Sequence, residues 1–305
     1  VETKSTEQSA ARVEILYRIL RGDWKLLMMT PAAAAQWLPN PSYIRDAAIT
    51  LKQGDVIEIQ DLTRRLSEIR YNRVPQIDGK GQFSVRGDIV DIFPYTSENP
   101  VRIEFFDNEI DSVRIFDVLS QRTIENTEEI LILPDNETYL WNWDQADSVR
   151  KEILCDLNTL GLRENSSLYK RVTEDLDKML PRNIFQGYDR YLPYILENKY
   201  DIFDYTGCVP VFFENCSAFR ETIQSTREDY IRICQTIQEN VGILGKSYEI
   251  MMTPDQAEWL CEKKSYNITY LDEFLTQRDQ CEWIPVSCRS TEPFAGNLQL
   301  MLNST

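Results

Sequence analysis

Between residues 65 and 123 the hydrophobic pattern changes period. Phe83 and Val85 alternate with Ser84 and Arg86, and Val101, Ile103 and Phe105 alternate with Arg102, Glu104 and Phe106. Successive side chains of an extended chain point to opposite faces, so a period of two with one apolar face requires half-buried strands. Asp107-Asn108 sits where a tight turn is needed, and Ile110 to Phe116 returns as another strand. The stretch reads as a small antiparallel, meander-like β element. Both flanks alternate short apolar runs with helical spacing, so the element reads as an insertion into a larger α/β domain.

On the amino-terminal side, Ala10 to Arg21 carries Val13, Leu16, Tyr17 and Leu20 at helical spacing, and Gly22 ends the helix. Trp24 to Met29 is an apolar run expected to form a buried strand. Thr30-Pro31 supplies an N-cap and a first helical residue for a helix over Ala32–Leu38. A related arrangement recurs at Tyr248–Met252, Thr253-Pro254 and a helix through Trp259-Leu260. The two copies differ by one residue in spacing, and shared capping chemistry accounts for them without an internal repeat. After the insert, Ile130 to Leu133 is a short strand ending at Pro134, and helices are expected near 145–160 and 168–180. Val209 to Phe213 is a buried-strand candidate. Asn215 to Ser217 can cap a long helix with the stripe Phe219, Ile223, Tyr230, Cys234, Ile237 and Val241. The expected division is 1–64 for the first part of the α/β lobe, 65–123 for the β-rich insert, 124–284 for the rest of the lobe, and 285–305 for a linker or the start of a next domain.

Composition narrows the function classes. The 305 residues include no histidine, which removes Ser-His-Asp and Cys-His nucleophile systems and His-ligated zinc. Seven cysteines, with no CxxC pair, argue against a disulfide framework or zinc ribbon and for a reducing, cytoplasmic setting. Neither a metal site nor a catalytic constellation is expected. The 33 Lys and Arg face 49 Asp and Glu, a net charge of −16, which disfavours broad nucleic-acid binding by counterion release. No apolar run approaches about 18 residues, so no membrane partner is expected. The chain reads as a piece of something larger.

Two segments invite an ATP-site reading and do not support it. In Gly242-Ile-Leu-Gly245-Lys246-Ser247 the first glycine of a phosphate loop is replaced by Asn240, and the stretch follows a helix where a phosphate loop follows a strand. Phe212-Phe213-Glu214-Asn215 ends a strand in Glu-Asn, where a working helicase-type ATPase carries two carboxylates. The β element is more informative. Alternation puts Val85, Val101, Ile103 and Phe105 on one face and Arg86, Arg102, Glu104 and Phe106 on the other. An aromatic beside two arginines on the outward face has the composition of an interface hot spot. The competing account buries Phe106 under the α/β body and gives the arginines ordinary surface ion pairs. Seven basic and nine acidic residues lie between Arg70 and Thr123, a mixture better suited to protein than to phosphate recognition.

The stretches Gly81–Pro94 (GQFSVRGDIVDIFP), Pro100–Arg114 (PVRIEFFDNEIDSVR), Phe116-Asp117 and Ser120–Thr123 resemble the bacterial transcription-repair coupling factors (Mfd), in their amino-terminal module similar to the excision-repair protein UvrB. The likeness continues more weakly through Gly187–Tyr194 and Phe203–Tyr205 and fades after about Leu260. The resemblance implies a degenerate helicase-type, UvrB-like α/β lobe with an inserted antiparallel β-rich domain. It implies that the insert binds UvrA, the damage-recognition ATPase, through Arg86, Arg102 and Phe106. It also implies that Glu214 and Asn215 occupy a degenerate ATP site, so that no cofactor belongs to this segment. In such a parent protein ATP and Mg²⁺ serve motor domains elsewhere, which displace stalled RNA polymerase along double-stranded DNA. The resemblance further implies masking of the UvrA face by a carboxy-terminal domain. The alternative is a segment of a UvrB-type excision-repair ATPase that handles damaged DNA directly.

Overall fold

The helical spacing at the start of the chain becomes α1, Thr6–Leu20. Its Val13, Leu16, Tyr17 and Ile19 pack with Leu38, Ile44, Leu133 and Tyr205. The structure, a computed structural model, describes residues 6–137, 146–159, 166–178, 191–195, 199–240, 249, 251–271 and 284. The Gly242–Ser247 segment, the side chains of Cys234 and Ile237, Val241, the first four residues of Gly187–Tyr194 and the 285–305 tail lie outside the described residues.

Two expectations near the amino terminus are corrected. The apolar run Trp24–Met29 is irregular chain, not a buried strand, and Leu26 and Met28 are exposed. A strand needs a neighbour for its backbone donors and acceptors, and no described strand pairs with this run. Trp24 and Leu27 still pack against the α1 cluster. Thr30 caps α2 as expected, its hydroxyl accepting from the Ala33 amide at 3.2 Å, but α2 is only Pro31–Ala34. The chain leaves the helix because Gln36 bridges Met251 and Leu38 bridges Tyr200.

The fold mixes helices and strands around an antiparallel-rich sheet. After α3, Pro41–Ala47, strand β1, Ile49–Lys52, leads to α4, Ile59–Glu68. The main sheet follows: β2 Asn72–Arg73, β3 Gln82–Arg86, β4 Ile89–Phe93, β5 Val101–Phe106, β6 Glu109–Phe116 and β7 Thr123–Thr127. Spatial order equals sequence order, with β2–β3 parallel and every other pair antiparallel. Strand β8, Glu129–Ile132, returns antiparallel to β1. Leu62 and Leu66, one turn apart on α4, join Ile49, Leu51 and Ile132 in covering the inner face of the sheet, formed by Phe83, Val90, Ile92, Val101, Ile103, Phe105, Ile110 and Val113. Burial of this many side chains, each contributing about 1.5–3 kcal/mol, is the main force holding the module together.

Local devices set the register. Asp107, at φ 58°, turns β5 into β6. Asp111 is an extra residue in β6, since Glu104 pairs with Ser112 while Phe105 pairs with Ile110. This bulge lets Ile110 and Val113, three residues apart, both point inward. Gly81, at φ +75°, immediately precedes β3, and any Cβ there would run into the Tyr95 ring. Buried Tyr71 ties the module together: its hydroxyl donates to the Leu133 carbonyl at 3.0 Å and accepts from the Tyr95 amide at 3.3 Å.

The rest of the described chain is helical or parallel β. Helices α5 (Ala146–Thr159), α6 (Ser167–Lys178) and α7 (Leu192–Ile195) share one apolar cluster. After α8, Ile202–Thr206, strand β9, Val211–Glu214, pairs in parallel with β10, Ile268–Leu271. Helices α9 (Cys216–Asn240) and α10 (Pro254–Lys264) pack on this pair through Phe219, Ile223, Ala257 and Leu260.

Candidate protein-docking site

The outer face of the main sheet carries the residues singled out from alternation. Register places Ser84, Asp91, Arg102 and Arg114 in one row across β3 to β6. A second row holds Arg86, Ile89, Glu104 and Ser112. Phe106 lies at the far end of β5, opposite Glu109. Arg86, Arg102 and Phe106 therefore share one side of the sheet. Phe106 is 79% exposed, so the α/β body does not cover it.

The arginines are not ordinary surface ion pairs. They converge on Asp91, whose side chain is 2% exposed. Arg102 donates from Nε to Asp91 Oδ1 at 2.7 Å and from Nη2 to Oδ2 at 2.9 Å, a two-pronged fork. Arg86 Nη2 donates to the same Oδ2 at 3.1 Å. Arg102 is held twice more, by Gln121 Oε1 at 3.0 Å and by the Phe116 ring, whose centroid lies 4.5 Å from the guanidinium carbon. The hydrogen bond to Asp91 raises the Arg102 pKa further above its ordinary value, so the group is a permanent cation. Nearby Glu104 is paired with Arg114 and accepts from the Ser112 hydroxyl at 3.1 Å.

Gln121 reaches Arg102 because the β6–β7 connection is tightly wound. The Gln121 amide donates to the Asp117 carbonyl at 2.8 Å, and Gln121 itself sits at φ 57°. Bonds from the Ser120 side chain and backbone hold the Asp117 carboxyl below the usual carboxylate range. The same turn leaves Leu119 exposed. At the other end, Glu109 also bridges Val56, whose side chain is exposed like that of Phe106.

Sequence reasoning missed Asp91, Gln121 and Phe116. The available signal for Asp91 was an acidic residue inside the apolar strand Ile-Val-Asp-Ile-Phe, out of phase with Val90 and Ile92. Cross-strand register was needed to bring it to Arg102.

Residues 49–138 match the family model described as the UvrB interaction domain. The match takes in the whole main sheet, α4 and the β1–β8 pair. Among curated proteins, the chain is 31% identical over 210 residues to the transcription-repair-coupling factor of Bacillus subtilis (strain 168), covering 68% of this chain and 18% of the relative. It is 28% identical over 311 residues to that of Staphylococcus aureus (strain bovine RF122 / ET3-1), covering 98% of this chain and 26% of the relative. For Staphylococcus haemolyticus (strain JCSC1435) the identity is 27% over 313 residues. The chain thus spans about a quarter or less of the length of these relatives. The resemblance read from its motifs, to a UvrB-like module of transcription-repair coupling factors, holds.

The second expected site sits at the end of β9. Exposed Glu214 is followed by Asn215 at φ 56°, whose Oδ1 accepts from the Ala218 amide at 3.1 Å. This side chain caps α9. A neutral amide is not a general base, and here its oxygen accepts the capping bond. Among the described residues no cluster suited to a metal ion occurs, and no helix is long and apolar enough to cross a membrane.

Proposed function

We propose that this chain is a non-catalytic docking module of a transcription-repair coupling factor, and that the outer face of its main sheet recruits UvrA to sites of stalled transcription. The observation that carries the proposal is the exposed Phe106 ring on the same face as two guanidiniums fixed by one buried carboxylate. An uncovered aromatic offers a large apolar area to a partner's pocket, and held arginines lose little freedom on binding. Arg86, Arg102 and Phe106 form the proposed UvrA contact within the β-rich insert proposed at 65–123. That insert draws part of its core from α4, β1 and β8 on either side.

The further parts of the reading concern a larger parent protein. There, ATP and Mg²⁺ would drive motor domains that act on double-stranded DNA and RNA polymerase in the cytoplasm, and this segment would need no cofactor of its own. The capping role of Asn215 supports the non-catalytic reading over the UvrB-type ATPase alternative. The test is retention of UvrA by the 305-residue chain and by its Phe106→Ala and Arg86→Ala variants. Both substitutions are expected to reduce retention by about tenfold or more. Equal retention by all three proteins removes the site. ATP turnover by the unaltered chain would favour the alternative.

A further inference from the structure

We propose that Asp91 is a positioning residue of the docking face: its buried carboxylate holds the Arg86 and Arg102 guanidiniums so that their unused N–H edges together receive a carboxylate of the partner. The inference rests on the reading of this face as the UvrA contact.

Burial is the first support. Asp91 stands between Val90 and Ile92, which face the inner core, and its own side chain is almost wholly enclosed. A buried carboxylate contributes little or nothing net to stability compared with an apolar residue of similar size, even when well paired. Its presence here therefore needs a reason beyond packing. Geometry is the second. Arg102 spends Nε and Nη2 on Asp91 and Gln121, and Arg86 spends Nη2 on Asp91. Arg102 Nη1 and Arg86 Nε and Nη1 have no protein acceptor among the described residues. Charge is the third. Two cations on one anion leave one positive charge at this spot, in a chain whose net charge is −16. The neighbouring carboxylate Glu104 is already paired with Arg114. The site thus takes one negative group, received by N–H donors from two separate guanidiniums.

A different role for Asp91 makes the opposite prediction. If it only neutralised the arginines, it would compete with the partner's carboxylate, and its removal would tighten binding. The experiment is titration of UvrA against the 305-residue chain carrying Asp91→Asn, Asp91→Ala, Gln121→Ala, Arg86→Ala/Arg102→Ala, and that pair combined with Asp91→Ala, with folding followed by circular dichroism. Asp91→Asn keeps the shape and one acceptor, so it carries the test if the alanine variant does not fold. Should neither Asp91 variant fold, Gln121→Ala reads the same requirement, because it frees Arg102 from a surface turn and leaves Asp91 in place.

Asp91→Asn and Asp91→Ala are expected to weaken UvrA binding about tenfold or more, and Gln121→Ala a few-fold. In the background lacking both arginines, Asp91→Ala is expected to change affinity no further, since Asp91 acts through them. Unchanged or tighter binding by the folded Asp91 variants overturns the proposal. So does an equal loss in the arginine-free background, or unaltered binding by Gln121→Ala where that variant carries the test. If Phe106→Ala and the arginine pair themselves bind normally, the docking reading fails instead.

Discussion

Arg102 and Phe106 lie four residues apart on one strand face, yet their substitutions differ in kind. Phe106 makes its contribution to solvent, so Phe106→Ala is expected to change folding stability by no more than about 0.5 kcal/mol while weakening docking. Arg102 supplies two of the three hydrogen bonds on a buried carboxylate. Arg102→Ala leaves Asp91 with only the half-exposed Arg86, and breaking a buried pair on one side is costly. A loss of up to about 3 kcal/mol is expected, discounted for the partial exposure of Arg102. Urea denaturation of the two variants separates these cases. A weak binder with native stability is informative about docking, whereas a weak binder that is unstable is not. Phe106→Ala and Arg86→Ala are therefore the cleaner probes of the interface.

At the scale of the element, turns and caps decide which face each side chain occupies. Gly81 adopts a left-handed backbone where a Cβ would also strike the Tyr95 ring. Gly81→Ala is expected to lose about 1–3 kcal/mol of stability, seen as a lower urea midpoint with an unchanged slope. The bulge at Asp111 is a second such device. Deleting that residue leaves Ile110 and Val113 two apart in plain alternation, still opposite Phe105 and Ile103, and is expected to keep both buried while removing the local bend of β6. At the end of β9, Asn215 tolerates the left-handed conformation and caps α9. Asn215→Asp keeps an oxygen acceptor at a helix amino terminus and is expected to hold stability within about 0.5 kcal/mol. It is also expected to confer no ATP turnover, because one carboxylate does not supply a phosphate cradle.

At the scale of the molecule, the absence of histidine moves the expected pH response to the alkaline side. Burial pushes the Tyr71 and Tyr205 phenols well above their ordinary value, and Tyr95 up to about 12. Burial works against the Lys264 ammonium, but bonds to Asp201 and Asp204 outweigh it and raise its pKa. For all four groups the folded value exceeds the unfolded one. Their stabilisation is complete below pH about 10, where the unfolded phenols and amine are still protonated, and is lost as pH rises through the folded values. Denaturation midpoints are expected to fall steadily between pH 10 and 12, and Tyr95→Phe is expected to make that fall shallower. A flat profile in that window counts against phenol burial as described.

Period-two alternation, the Asp107-Asn108 turn and the caps at Thr30, Thr253 and Asn215 were all legible in the sequence, because each is a local matter of a few neighbouring residues. So were the common face of Arg86, Arg102 and Phe106 and the similarity to transcription-repair coupling factors. Trp24–Met29 reads as a strand only from composition, since a strand exists by virtue of a neighbour that composition does not contain. Asp91 shows the same divide at the site. Its identity and parity are local, but its meeting with Arg102, eleven residues away, depends on the β4–β5 register, and Gln121 arrives through a turn beyond β6. Hydrophobic pattern sets the side of the sheet on which a residue lies, whereas cross-strand pairing sets which charge it faces, and that second choice belongs to the tertiary structure alone.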